Sequence, residues 1–194
     1  AMLAFVSAVE PLRVANRLAG RELYRWSVIS RDGKSVTASN GMSLLADRGI
    51  DGKQDFSWVV VCAGFEPERA FDRAIRKWLI NLNSHNIDLG AIDTGSFILG
   101  WSGLLDGYRA CTHWESLDSF REAFPKVEVD SGLFVIDRNR LTCAGGTAAL
   151  DMMLHLISLQ HGHRLAAAVS EQFIHARIRP PSDQQRMEAP ARQG

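Results

Sequence analysis

The feature that most constrains this chain is an alternation of short, wholly apolar runs with segments whose apolar residues recur at helical spacing. Trp58-Val59-Val60-Val61-Cys62 is the clearest run, and it ends in Ala63-Gly64. A run with no polar residue at every second place suits a strand buried on both faces, as in parallel sheets. Residues 66–82 follow with Ala70, Ala74, Trp78 and Leu82 at helical spacing and Pro67 in the first turn. Residues 88–92 form the next buried run, which leads through Asp93-Thr94-Gly95-Ser96 into a helix over 97–102. A strand over 108–112 precedes His113, Trp114 and a helix over 115–124. Strands at 133–137 and 140–143 make a hairpin around Arg138-Asn139. Ala144-Gly145-Gly146 then opens a helix capped by Thr147 and running to about residue 160, and a last helix covers 163–175. Strands alternating with helices define an α/β fold with a mostly parallel sheet.

The N-terminal part is less regular. Leu3, Val6, Val9, Leu12, Ala15 and Leu18 mark a helix over 2–19, and Pro11 predicts a break or a fresh helix start near residues 7–11. Residues 24–30 read as a strand, Arg31-Asp32-Gly33-Lys34 as a turn, and 35–38 as its return strand. At the other end, the Pro-, Gln- and Arg-rich stretch 179–194 reads as a linker, leaving residues 1–178 as one domain.

Composition narrows the function classes. A chain of 194 residues that is 46% hydrophobic and 23% charged is a globular domain and not a disordered one. Its 22 basic and 22 acidic side chains cancel, which argues against a nucleic-acid-binding face on this segment. The apolar runs are far shorter than the ~20 residues of a membrane span, and no basic, cleavable leader is present, so a cytoplasmic protein without membrane contact is expected. Cys62, Cys111 and Cys143 lie in apolar stretches and read as buried thiols of a reducing compartment. No CxxC or HExxH spacing occurs, so neither a metal nor a cofactor is expected.

In an open α/β sheet, ligands bind beyond the carboxyl ends of the strands. That singles out Gly64 and Phe65, Asp93 and Thr94, His113 and Trp114, and Gly145 and Gly146. Asp93 stands at a sharp strand-to-helix turn of the kind that lifts one side chain above a sheet edge. It serves equally well as a helix N-cap, or as a carboxylate stabilised by the helix N-terminus. His113 suits a base, a ligand donor or a packing residue, and Trp114 suits the core or a cation resting on its ring. Glu10, in the apolar stretch Val9-Glu10-Pro11-Leu12, suits a solvated helix face or a site carboxylate. Gly145-Gly146 before a helix offers free amides to an anion, although it matches no nucleotide motif.

Several strings, in order, resemble one family. They are Glu10-Pro11-Leu12-Arg13-Val14-Ala15-Asn16, Gly90-Ala91-Ile92-Asp93-Thr94-Gly95-Ser96-Phe97, Gly103-Leu104-Leu105-Asp106-Gly107-Tyr108-Arg109-Ala110, Thr112-His113-Trp114, Phe120 with Phe124-Pro125, and Cys143-Ala144-Gly145-Gly146-Thr147-Ala148-Ala149-Leu150-Asp151. Over nearly its whole length the chain resembles the N-terminal sensor domain of AraC/XylS-type transcriptional regulators. That sensor belongs to the class I glutamine-amidotransferase-like, PfpI-type superfamily. The resemblance implies a flavodoxin-like three-layer sandwich, an effector pocket at a vestigial active site, a homodimer, and DNA binding through a C-terminal helix-turn-helix domain that lies outside this chain.

Catalytic members carry a cysteine at the position of Asp93, a histidine at that of His113 and a glutamate near Glu10; with Asp93 at the elbow, thiol chemistry has no nucleophile. The Asp-Thr-Gly form is most similar to regulators of carnitine, glycine betaine and dimethylglycine catabolism, with arginine-responsive regulators next. The implied effector is therefore a quaternary amine or an amino acid. It would be bound by Glu10, Gly64, Phe65, Asp93, Thr94, His113 and Trp114, with Trp101 or Phe5 adding aromatic surface. The alternatives are a stand-alone enzyme of the superfamily working through Asp93, His113 and Glu10, and an oligomeric scaffold with a dead pocket. Family members begin with an apolar strand ahead of the first helix. Here that strand is missing from the sequence, or residues 3–6 replace it.

Overall fold

The computed structural model describes residues 2–52 and 55–186. Among these, α1 (Met2–Ala19) precedes the short strands β1 (Ile29–Ser30), β2 (Val36–Thr37), β3 (Ser43–Leu44) and β4 (Arg48–Gly49). The central part runs β5 (Trp58–Ala63), α2 (Arg73–Ser84), β6 (Asp88–Asp93), α3 (Gly95–Trp101), β7 (Arg109–Ala110), α4 (Leu117–Ala123) and β8 (Glu128–Val129). The chain closes with β9 (Phe134–Asp137), β10 (Arg140–Cys143), α5 (Ala148–His161) and α6 (His163–Gln172).

The main sheet has the order β5-β6-β10-β9. The β5–β6 and β6–β10 pairs are parallel, and the β10–β9 hairpin is antiparallel, as the sequence predicts. Successive residues of β6 feed opposite layers, since side chains alternate across a strand. Leu89 and Ala91 join Leu79 and Leu82 of α2, Ile98 and Leu99 of α3 and Phe120 of α4 on one face. Ile92 joins Ala4 and Leu12 of α1 and Met152 and Met153 of α5 on the other. A further cluster of Val14, Ala15, Leu154, Ile157, Ala166 and Val169 ties α1, α5 and α6 together. The result is a three-layer α/β sandwich with a mixed, mostly parallel sheet.

Five expectations are corrected. Helix α1 is continuous through Pro11. An interior proline costs about 3 kcal/mol, and burial of Ala4, Pro11, Leu12, Val14 and Ala15 on one face outweighs it. Residues 3–6 are helical and supply no strand to the sheet. The strand over 24–30 shrinks to Ile29–Ser30, because Asn16 takes up the Leu23 and Tyr24 amides and the Tyr24 carbonyl that a ladder would use. Its supposed partner is also wrong: β1 pairs in parallel with β4, while β2 pairs with β3. Finally, Cys111 and Cys143 are buried but Cys62 is exposed, because it sits on β5, an outer strand of the main sheet.

Candidate functional site

Asp93 ends β6 with φ of 60°, the left-handed region that a non-glycine residue rarely adopts. Such strain persists where the surroundings over-determine it, and it concentrates at functional sites. Here the surroundings are specific. The Asp93 carbonyl accepts hydrogen bonds from Thr112 Oγ1 at 3.2 Å and from Ser96 Oγ at 3.2 Å. Thr94 Oγ1 donates to the Gly64 carbonyl, tying the end of β6 to the end of β5. Gly95 lets α3 start this close, because a Cβ there would meet the Val61 carbonyl oxygen at 2.3 Å.

On the other side, Gly145 has φ of 97°, and a Cβ built on it would lie 2.9 Å from Asp93 Cβ and 3.2 Å from Oδ2. The Gly145 amide donates to Cys143 Sγ at 3.4 Å, which holds that turn against the elbow. The N-cap of α3 is Thr94, so Asp93 is not the helix cap. Burial pushes the Asp93 carboxyl above its ordinary pKa, against the opposing pull of nearby His113. The expectation that the helix N-terminus would favour the carboxylate is outweighed by this desolvation.

His113 and Trp114 follow β7 and open a short 3-10 turn. The Glu115 amide donates to His113 Nδ1 at 3.4 Å, and the His113 and Trp114 ring centroids are 5.5 Å apart. Trp114 remains 38% exposed. Strand β7 pairs with β8 outside the main sheet, and the Thr112 bond to the Asp93 carbonyl brings His113, with Trp114 next to it, close to the elbow. Glu10 is not drawn in: its carboxylate is held by Arg13, with Nε at 2.9 Å and Nη2 at 2.6 Å. Phe65 is 82% exposed and Gly64 half-buried. Trp101 packs against Phe71, Phe97 and Phe124 in the α2–α4 layer, so it belongs to the core and not to the site. Phe5 lies half-buried on α1. A cavity of about 220 Å³ lies elsewhere, lined by Arg109, Asp130, Phe134, His155 and Pro181 among others.

Sequence reasoning missed the groups that hold the elbow, Thr112 and Ser96, and the whole contribution of the C-terminal stretch. From His175 to Arg186 the chain lies back over the domain. Asp151, fully buried on α5, accepts from His175 Nε2 at 2.8 Å, from the Arg179 amide at 2.7 Å and from Arg179 Nε at 2.9 Å. Arg179 also reaches Thr147 Oγ1 at 2.8 Å. The one available signal was Asp151 itself, an acid inside an otherwise apolar helix turn. No group of three or more metal-ligating side chains occurs among the described residues, and no described helix is long and apolar enough to cross a membrane.

This fold and strand-end site define a known class. The DJ-1/PfpI family model matches residues 4–159, and the chain belongs to that family. Among curated proteins, it is 51% identical to the HTH-type transcriptional regulator CdhR of Pseudomonas aeruginosa over 193 residues, which is all of this chain and 57% of that protein. It is 39% identical to the HTH-type transcriptional regulator GlxA of Rhizobium meliloti, covering 100% of this chain and 60% of that one. The chain thus spans little more than half the length of these relatives. Among solved structures, an AraC family transcriptional regulator from Pseudomonas putida superposes with a TM-score of 0.80 at 28% identity, over 89% of this chain and 93% of that one. Drosophila melanogaster DJ-1beta shares the fold, with a TM-score of 0.71 at 20% identity. The chain is similar throughout to transcriptional regulators.

Proposed function

We propose that residues 1–178 form the effector-binding and dimerisation domain of a bacterial AraC-type transcriptional regulator. In this reading residues 179–194 lead toward a helix-turn-helix domain that contacts DNA in the cytoplasm. The effector is a small cationic or zwitterionic metabolite, a quaternary amine such as carnitine or glycine betaine, or arginine.

The observation that carries this reading is the half-buried Asp93 carboxyl in a strained elbow near His113, whose ring lies 5.5 Å from the part-exposed Trp114 ring. A carboxylate kept partly out of water is under-solvated, and a cation relieves that cost. A ring face nearby adds ~0.5–2 kcal/mol for a cation within about 6 Å. Thr94, the Gly64 and Phe65 backbone and His113 supply polar contacts for the other end of a zwitterion. Glu10 would join only by letting go of Arg13. The domain senses and does not catalyse, because the elbow carries a carboxylate where thiol enzymes of this superfamily carry their nucleophile.

Thermal-shift titration with choline, carnitine, glycine betaine, dimethylglycine and arginine tests the reading. At a hundred times its Kd, a ligand stabilises by about 2.7 kcal/mol. No shift with any of the five, on folded protein, refutes it.

A further inference from the structure

The C-terminal strap reaches the candidate site. Its root is the Asp151 hub at His175 and Arg179. Its middle is stitched to the domain by the Leu133 amide donating to the Pro181 carbonyl at 2.8 Å and by a bridge between Gly132 and Gln184. Arg177 pairs with Asp183 within the strap itself. Gln185 Nε2 then donates to the carbonyls of Gly132 at 2.8 Å and Thr112 at 3.0 Å. Thr112 is the residue whose hydroxyl holds the Asp93 carbonyl. One residue on, the Arg186 guanidinium carbon lies 4.6 Å from the centre of the Trp114 ring.

We infer that Arg186 is an internal cation seated on Trp114, so that a cationic effector arriving at Asp93 and Trp114 displaces it and loosens the strap. The inference rests on the proposed cation site and adds its regulation. Three observations support competition. Arg186 is exposed and is held by the ring alone among the contacts described for its side chain, so it leaves at small cost. Gln185 Oε1 is buried with no donor among the described residues, which offsets part of what Gln185 Nε2 gains from the Thr112, Ser131 and Gly132 carbonyls. The firm attachments lie further back, at Asp151 and Leu133. Lifting residues 184–186 therefore leaves the domain fold intact.

The test uses the 194-residue chain and tetramethylammonium, the bare quaternary cation, as probe. Calorimetric titration is run on wild type, Arg186→Ala and Arg186→Lys. An exposed cation–π contact of ~0.5–1 kcal/mol corresponds to about a two- to fivefold gain in probe affinity when Arg186 is removed. The lysine variant falls between. Exchange of the Gln185 side-chain amide protons, which the Gly132 and Thr112 carbonyls hold, is followed by NMR alongside and accelerates when the probe binds wild type. Equal affinity in wild type and Arg186→Ala overturns the displacement while leaving the cation site standing. Unchanged or slower Gln185 side-chain exchange on binding does the same. Absence of binding to all three proteins overturns the cation site, and the strap's role with it.

Discussion

The root of the C-terminal stretch is gathered by one side chain, and Asp151→Ala tests how much it is worth. Asp151 is fully buried, and it receives the Arg179 amide, the Arg179 guanidinium and His175 Nε2, all within 2.9 Å. Breaking a buried ion pair by removing one partner costs about 3–5 kcal/mol, mostly because the other charge stays buried and unpaired. Here the partners are not sealed in: the Arg179 side chain is 29% exposed and that of His175 20%. Both regain some water when released, so the low end, about 3 kcal/mol, is expected. For a chain of this length that lowers Tm by roughly 6–12 °C. Asp151→Asn keeps one oxygen for the Arg179 amide and His175 and loses less. Calorimetric unfolding at pH 7 reads both. A loss below about 1 kcal/mol in the alanine variant shows that the strap contributes nothing to the domain's stability and refutes the hub.

Two further outcomes concern the elbow. Gly145→Ala forces a Cβ to 2.9 Å from Asp93 at φ of 97°, whereas Gly146→Ala, with φ of 54°, meets nothing within 4 Å. The first is expected to cost about 2–4 kcal/mol by denaturant unfolding and the second about 1 kcal/mol, from strain and crowding together; equal losses contradict the contact. Asp93→Asn tests the raised carboxyl pKa. A group whose folded pKa is raised stabilises the fold while protonated, and that contribution is lost as pH rises through the folded value. Asp93→Asn is therefore more stable than wild type at pH 7, with the gap closing as pH falls through the carboxylate range. A variant less stable than wild type at pH 7 contradicts this.

Legibility in the sequence followed burial. The runs at 58–62 and 89–92 are apolar because all their side chains but that of Cys62 are at least partly covered, and they read directly as the parallel strands β5 and β6. The hairpin at 133–143 was equally plain. Short strands held by loops were not: Leu23 and Tyr24 meet Asn16 rather than a neighbouring strand, contacts across seven and eight residues that no local pattern encodes. The site divides the same way. Asp93, His113 and Trp114 were singled out because strand ends are where ligands bind. Glu10 was placed by resemblance, and the structure turns it onto Arg13, a neighbour one helical turn away. The strap was read as linker because its Pro, Gln and Arg composition says nothing about a buried acid 28 residues earlier.

The central claim is that Asp93 and Trp114 together hold a cation. A crystal structure with saturating glycine betaine tests it most directly. The expected result is the trimethylammonium group within about 6 Å of the Trp114 ring centre and against the Asp93 carboxylate, with Arg186 off the ring. Glycine betaine seated instead in the cavity between Arg109, Asp130 and His155, with Arg186 still on Trp114, contradicts it.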